Sequence, residues 1–114
     1  MWSREFIVFR ISVLLPSIIL AFPAAAQSIP RYDVPGHCNQ VADVGGGSSM
    51  IYNGCIKLEQ EAYDSLKSAW SGIPSRTRSY CDEVGQAGGG SYSILKGCVD
   101  MESDAAANTE EFKF

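Results

Sequence analysis

The chain has 114 residues, 46% of them hydrophobic, with nine Lys and Arg against thirteen Asp and Glu, one His and four Cys. That length holds one domain at most, and a net charge of −4 with scattered cations excludes a surface that follows a nucleic-acid backbone, which needs clustered Lys and Arg. One His and an even set of Cys leave little material for nucleophilic or metal chemistry.

At the start of the chain, Arg4 and Arg10 give a positive region, and an apolar run from Ile11 to Phe22 follows. Ala24-Ala25-Ala26 then supplies the small residues that a signal peptidase requires. The sequence therefore predicts a signal peptide over residues 1–26, cleaved to leave Gln27 first. Arg10 and Pro16 interrupt the apolar stretch that a retained membrane anchor would need, so no stable membrane span is expected after processing. The remaining 88 residues, 27–114, carry seven Lys and Arg against twelve Asp and Glu, a net charge of −5. They are expected to form one helical domain in the periplasm or outside the cell.

The domain is self-similar at an offset of 43 residues, and eleven of the 25 positions from 38 to 62 are identical to their counterparts. Cys38 and Val41 match Cys81 and Val84; Gly45-Gly46-Gly47-Ser48 matches Gly88-Gly89-Gly90-Ser91; Gly54-Cys55 matches Gly97-Cys98; Glu59 matches Glu102. Two repeats follow, about 32–70 and 74–112, each reading as two helices joined at its three glycines. Three consecutive glycines do not sustain a helix, since each costs about 1 kcal/mol there, but they permit the positive φ of a tight reversal.

In chain order, Val34, Cys38 and Val41 mark a short helix, with Asp33 as its cap and Pro35 tolerated in the first turn. After the turn, Ser48 or Ser49 caps a longer helix whose stripe is Ile51, Cys55, Leu58, Ala62, Leu66 and Trp70. Ser71-Gly72-Ile73-Pro74 is a short link, predicting that the helices it joins are antiparallel neighbours. Ile73, Thr77, Cys81 and Val84 mark the third helix, and Ile94, Cys98, Met101, Ala105 and Phe112 the fourth. Trp70 and Phe112 are expected to close the ends of the bundle. The fold class is all-α, two helical hairpins packed as a small four-helix domain.

Cys38 and Cys55 are centred on position 46.5, inside the first glycine run, and Cys81 and Cys98 on 89.5, inside the second. Residues equidistant from a hairpin turn face each other, close enough for a disulfide. The expected bonds are Cys38 with Cys55 and Cys81 with Cys98, each closing a loop worth about 3 kcal/mol in the chain-entropy picture.

Other groups point less sharply. The glycine runs open helices but lack the Lys and preceding strand of a phosphate loop, so they read as turns: Gly45, Gly46, Gly47, Gly88, Gly89 and Gly90. His37 beside Cys38 suggests zinc, yet the wide Cys spacing and Tyr80 at the repeated position argue against it. Glu59, Glu61, Asp64, Glu102 and Asp104 read as a solvated acidic face, because helical neighbours two apart diverge. No nucleophile–base pair is visible, so neither catalytic nor metal nor cofactor residues are assigned, and a hydrolase is disfavoured. Tyr52 and Tyr92, close to the turns, are the candidate partner surface.

The residues Cys38, Val41, Gly46, Gly47, Ser48, Cys55, Glu59 and Trp70, with Cys81, Val84, Gly89, Gly90, Ser91, Cys98 and Glu102 in the second copy, give the duplicated pattern C-x2-V…GGS…C-x3-E. The pattern resembles that of small exported proteins of alphaproteobacterial type, which have no assigned activity. That resemblance implies an exported helical protein. The function expected is a disulfide-stabilised binding module of the bacterial envelope, with an envelope protein or a glycan as partner and no nucleic acid. The alternative is a periplasmic cation- or metal-binding protein using the acidic faces with His37 and Met50.

Overall fold

A computed structural model describes Ser17 and residues 28–114; the signal peptide expected over residues 1–26 lies outside the described domain. Among the described residues four α-helices follow in order, α1 (Val34–Val44), α2 (Ser49–Ala69), α3 (Ser75–Ala87) and α4 (Tyr92–Ala107), with one 3-10 turn over Trp70–Gly72. The first hairpin is α1 with α2, the second α3 with α4.

Local chemistry fixes the ends of these helices. The Asp33 side chain accepts from the Gly36 N–H at 3.1 Å, satisfying a first-turn donor of α1. Ser48 accepts from the Ile51 N–H at 3.3 Å and Ser91 from the Ile94 N–H at 3.2 Å, so the same cap opens the second helix of each hairpin. Between them the chain reverses through left-handed backbone at Gly46 and Gly47 (φ +76° and +80°) and at Gly89 and Gly90 (φ +89° and +80°). A side chain at those four positions would be strained, which is why both turns are glycine. The Gly47 N–H returns to the Ala42 carbonyl at 2.9 Å and the Gly90 N–H to the Gly85 carbonyl at 3.0 Å, closing both helix ends alike.

The reversals bring the cysteines together as their spacing predicts. Cys38 is bonded to Cys55 with Cα atoms 5.6 Å apart, and Cys81 to Cys98 at 5.5 Å. Cys38 and Cys81 are fully buried, and no cysteine is free.

The hairpins join differently from the sequence expectation. Besides its own α1, α2 packs chiefly against α4, so the helices flanking the short link are not the main inter-hairpin pair. The 3-10 turn and the extended backbone at Ile73 redirect the chain there, carrying Trp70 into the core with Ile73 packed against it. That core consists of Ala62, Leu66, Trp70, Cys81, Tyr92, Leu95 and Val99. Ile29 and Tyr32, from the segment preceding α1, pack onto it.

Its composition corrects the expected stripes. On α4 the buried line is Tyr92, Leu95 and Val99, whereas Ile94 and Met101 are exposed. The reason is that α4 has two apolar faces. One, with Ile94 and Cys98, turns to its own partner helix α3; the other turns to α2. On α2 the buried line is Glu59, Ala62, Leu66 and Trp70, and Leu58 is 62% exposed. Phe112 is 80% exposed and closes no end of the bundle; it stacks edge-on against Phe114 beyond the end of α4.

Candidate functional site

Glu59 stands one full helical turn beyond Cys55 on α2, at the point where α4 begins. The residue is 3% exposed, and of its carboxylate oxygens Oε1 accepts from the Ser91 hydroxyl at 2.7 Å and Oε2 from the Tyr92 backbone N–H at 2.6 Å. A negative group is favoured at the start of a helix, where free N–H donors and the helix dipole both face it. Glu59 is therefore no part of a solvated acidic face. It clasps the second hairpin to the first. His37 supports the same junction, because a Cβ placed on Gly89 would come within 3.1 Å of its Nδ1.

On the outside of this junction two grooves run beside the disulfides. The first, about 470 Å³, is lined by His37, Val41, Ile51, Gly54, Cys55, Leu58 and Glu59, and closed on its far side by Ser91, Ser93 and Ile94. The second, about 320 Å³, is lined by Tyr80, Val84, Ile94, Gly97, Cys98, Met101 and Glu102. Every residue of the second groove is the counterpart, 43 positions on, of a residue in the first seven. Both grooves share Ile94, so they adjoin at that residue. Val41, Leu58, Tyr80, Ile94 and Met101 are exposed along it. Gly54 and Gly97 lie on its floor inside their helices, and a Cβ at either would meet nothing within 4 Å.

Tyr92 does not offer the partner surface expected of it; it is 5% exposed. The segment before α1 covers it. Its hydroxyl donates to the Pro30 carbonyl at 2.8 Å and accepts from the Tyr32 N–H at 3.0 Å, while its ring meets those of Tyr32 and Tyr63 at 4.7 and 4.9 Å. Tyr32 in turn donates from its hydroxyl to Asp82 Oδ1 at 2.7 Å. Burial first, and then this bond to a carboxylate, push the Tyr32 phenol well above its ordinary pKa. Tyr52 is half-buried on the face of α2 that corresponds to the buried face of α4.

Among the described residues no three His, Cys, Asp or Glu side chains gather as metal ligands. A feature that sequence reasoning missed is Arg78, whose guanidinium lies 5.9 Å from the Trp70 ring centroid. It borders a polar hollow of about 230 Å³ with Ser28, Ser75, Ser79 and Asp82. The helical spacing of Ser75, Arg78, Ser79 and Asp82 was the available signal. The described helices include none long and apolar enough to cross a membrane. No protein-family model matches the chain, and no curated protein or solved structure is significantly similar to it.

Proposed function

We propose that the chain is an exported binding module that takes an apolar segment of a partner protein into the paired grooves beside its disulfides. The observation that carries this reading is the pair Gly54 and Gly97. Glycine inside a helix costs about 1 kcal/mol relative to Ala, and open space above both positions means that no neighbour within the domain requires it. Room for close approach of another molecule to the helix backbone would offset that cost. The exposed Val41, Leu58, Ile94 and Met101 beside them supply apolar area for such a contact, and the disulfides hold the groove walls in place before binding, which lowers the ordering cost. The basic and apolar start of the chain, with its small-residue end, supports action in the periplasm or beyond.

The test compares the oxidised protein with its Gly54→Leu/Gly97→Leu variant in capture from envelope extract. A protein retained by the parent and lost by the variant supports the reading; equal retention by both overturns it. Single Gly→Ala changes should raise the unfolding midpoint, since the helix gains about 1 kcal/mol, while weakening capture. A stability gain paired with a binding loss separates a groove role from a folding role.

A further inference from the structure

The first groove has a wall that the second lacks. Ser91, Ser93 and Ile94 close the first, and their counterparts 43 positions earlier are Ser48, Met50 and Ile51. Glu59 has its helix start to hold, whereas its counterpart Glu102 is exposed at the outer end of groove two. His37 rests against Gly89, whereas Tyr80, at the repeated position, is 53% exposed. The complementary half is equally uncovered. Gly46, the counterpart of Gly89, has nothing within 4 Å of its Cβ direction, and Met50 is 81% exposed. Tyr52 and Ile56 on α2 are only half-buried, although their counterparts Leu95 and Val99 lie in the core against α2. One molecule thus displays both unfilled halves of the junction that it has already made once inside itself.

We propose that a second copy of this chain docks the start of its α2 against Glu102 and groove two, repeating between molecules the clasp that Glu59 makes within one. The Glu102 carboxylate receives the Ser48 hydroxyl and the Ser49 N–H of the incoming copy, its Met50 enters the open side of groove two, and Tyr80 covers its Gly46. Two features argue for this occupant over an unrelated protein. The exposed carboxylate matches the positive start of α2, and the internal α2–α4 junction already shows that the two surface types fit. In tandem-repeat proteins a terminal unit carries a polar outer face; here the outer face of the last hairpin presents Met101 and Tyr80 instead. The contact is head-to-tail, so it closes into a ring or extends as a row according to the rotation per step. Each junction completes a groove like the first, so this inference rests on the binding reading above and multiplies its sites.

Sedimentation of the oxidised full chain, expressed with its own leader, tests it from micromolar to millimolar concentration. Met50→Lys blocks the head and Glu102→Lys the tail; both side chains are exposed, and circular dichroism with non-reducing peptide mapping checks that each variant is folded. The parent should gain mass with concentration, and each variant alone should associate at least about tenfold more weakly. An equimolar mixture of the two should recover a dimer and stop there, because one intact head meets one intact tail. A parent that stays monomeric at millimolar concentration, association indifferent to both substitutions, or a mixture that stays monomeric would each overturn the proposal. Capture sensitive to Gly54→Leu/Gly97→Leu by a strictly monomeric chain would overturn self-docking while leaving the groove reading intact.

Discussion

The two hairpins share their turn, their caps and their disulfide, yet the same glutamate has opposite surroundings in each. Glu59 is buried and holds two donors at the start of α4; Glu102 is exposed. Likewise Leu95 is fully buried, whereas Tyr52 at the matching position is half-covered. A repeated motif thus specifies a surface, and the presence of a neighbour decides whether that surface becomes core. What the motif fixes alone is the hairpin; the energetics of its carboxylate belong to the junction.

Glutamate truncation should separate the two hairpins most widely. Glu59→Ala leaves the Ser91 hydroxyl and the Tyr92 N–H buried without their acceptor, which should cost about 3 kcal/mol. Glu102→Ala, measured in the monomer by urea unfolding, should stay within about 0.5 kcal/mol of the parent. Equal losses would mean that the clasp is not what distinguishes the hairpins.

The hairpins differ again where the first repeat has Ala42 and the second Gly85. A Cβ on Gly85 would lie 2.6 Å from the Tyr32 hydroxyl oxygen, so Gly85→Ala should lift Tyr32 from Asp82 and lower stability by about 1–2 kcal/mol. That change runs against the usual gain from removing a helical glycine, and thermal unfolding reads its sign.

Tyr32→Phe is the smallest of the three, about 1 kcal/mol at neutral pH for one hydrogen bond. Its signature lies in alkali. The folded state keeps the phenolic proton above the ordinary tyrosine value, so the stability linked to this group is complete below about pH 10 and declines as pH rises beyond it. The Phe variant should show a shallower alkaline decline, seen by urea midpoints across that range.

Local features were legible from sequence because their causes are local. Disulfide pairing follows from the equal spacing of Cys38 and Cys55 about their turn, and the caps at Asp33, Ser48 and Ser91 from hydroxyl or carboxylate groups preceding a helix. Glu59 reads from sequence as solvent-facing because its partners lie 32 and 33 residues away, and adjacent Leu58 carries the apolar period more plainly. Tyr92 reads as exposed for the same reason: its cover, Tyr32, is 60 residues distant. The usable signal was the recurrence of a carboxylate four residues after each second cysteine, together with a serine at each helix start. Read together, a donor and an acceptor repeated at one offset predict a contact between units.

The disulfides also determine how the domain would respond to being pulled from its ends. Each bridge joins residues 17 positions apart whose Cα atoms are 5.6 or 5.5 Å apart, a span that would otherwise stretch to about 60 Å. Tension therefore bypasses both glycine turns through sulfur, and each bridge withholds roughly 50 Å of extension until it is reduced. Under load residues 38–55 and 81–98 each remain a closed covalent ring, so extension falls on the α2–α4 junction and on the helix segments outside the rings.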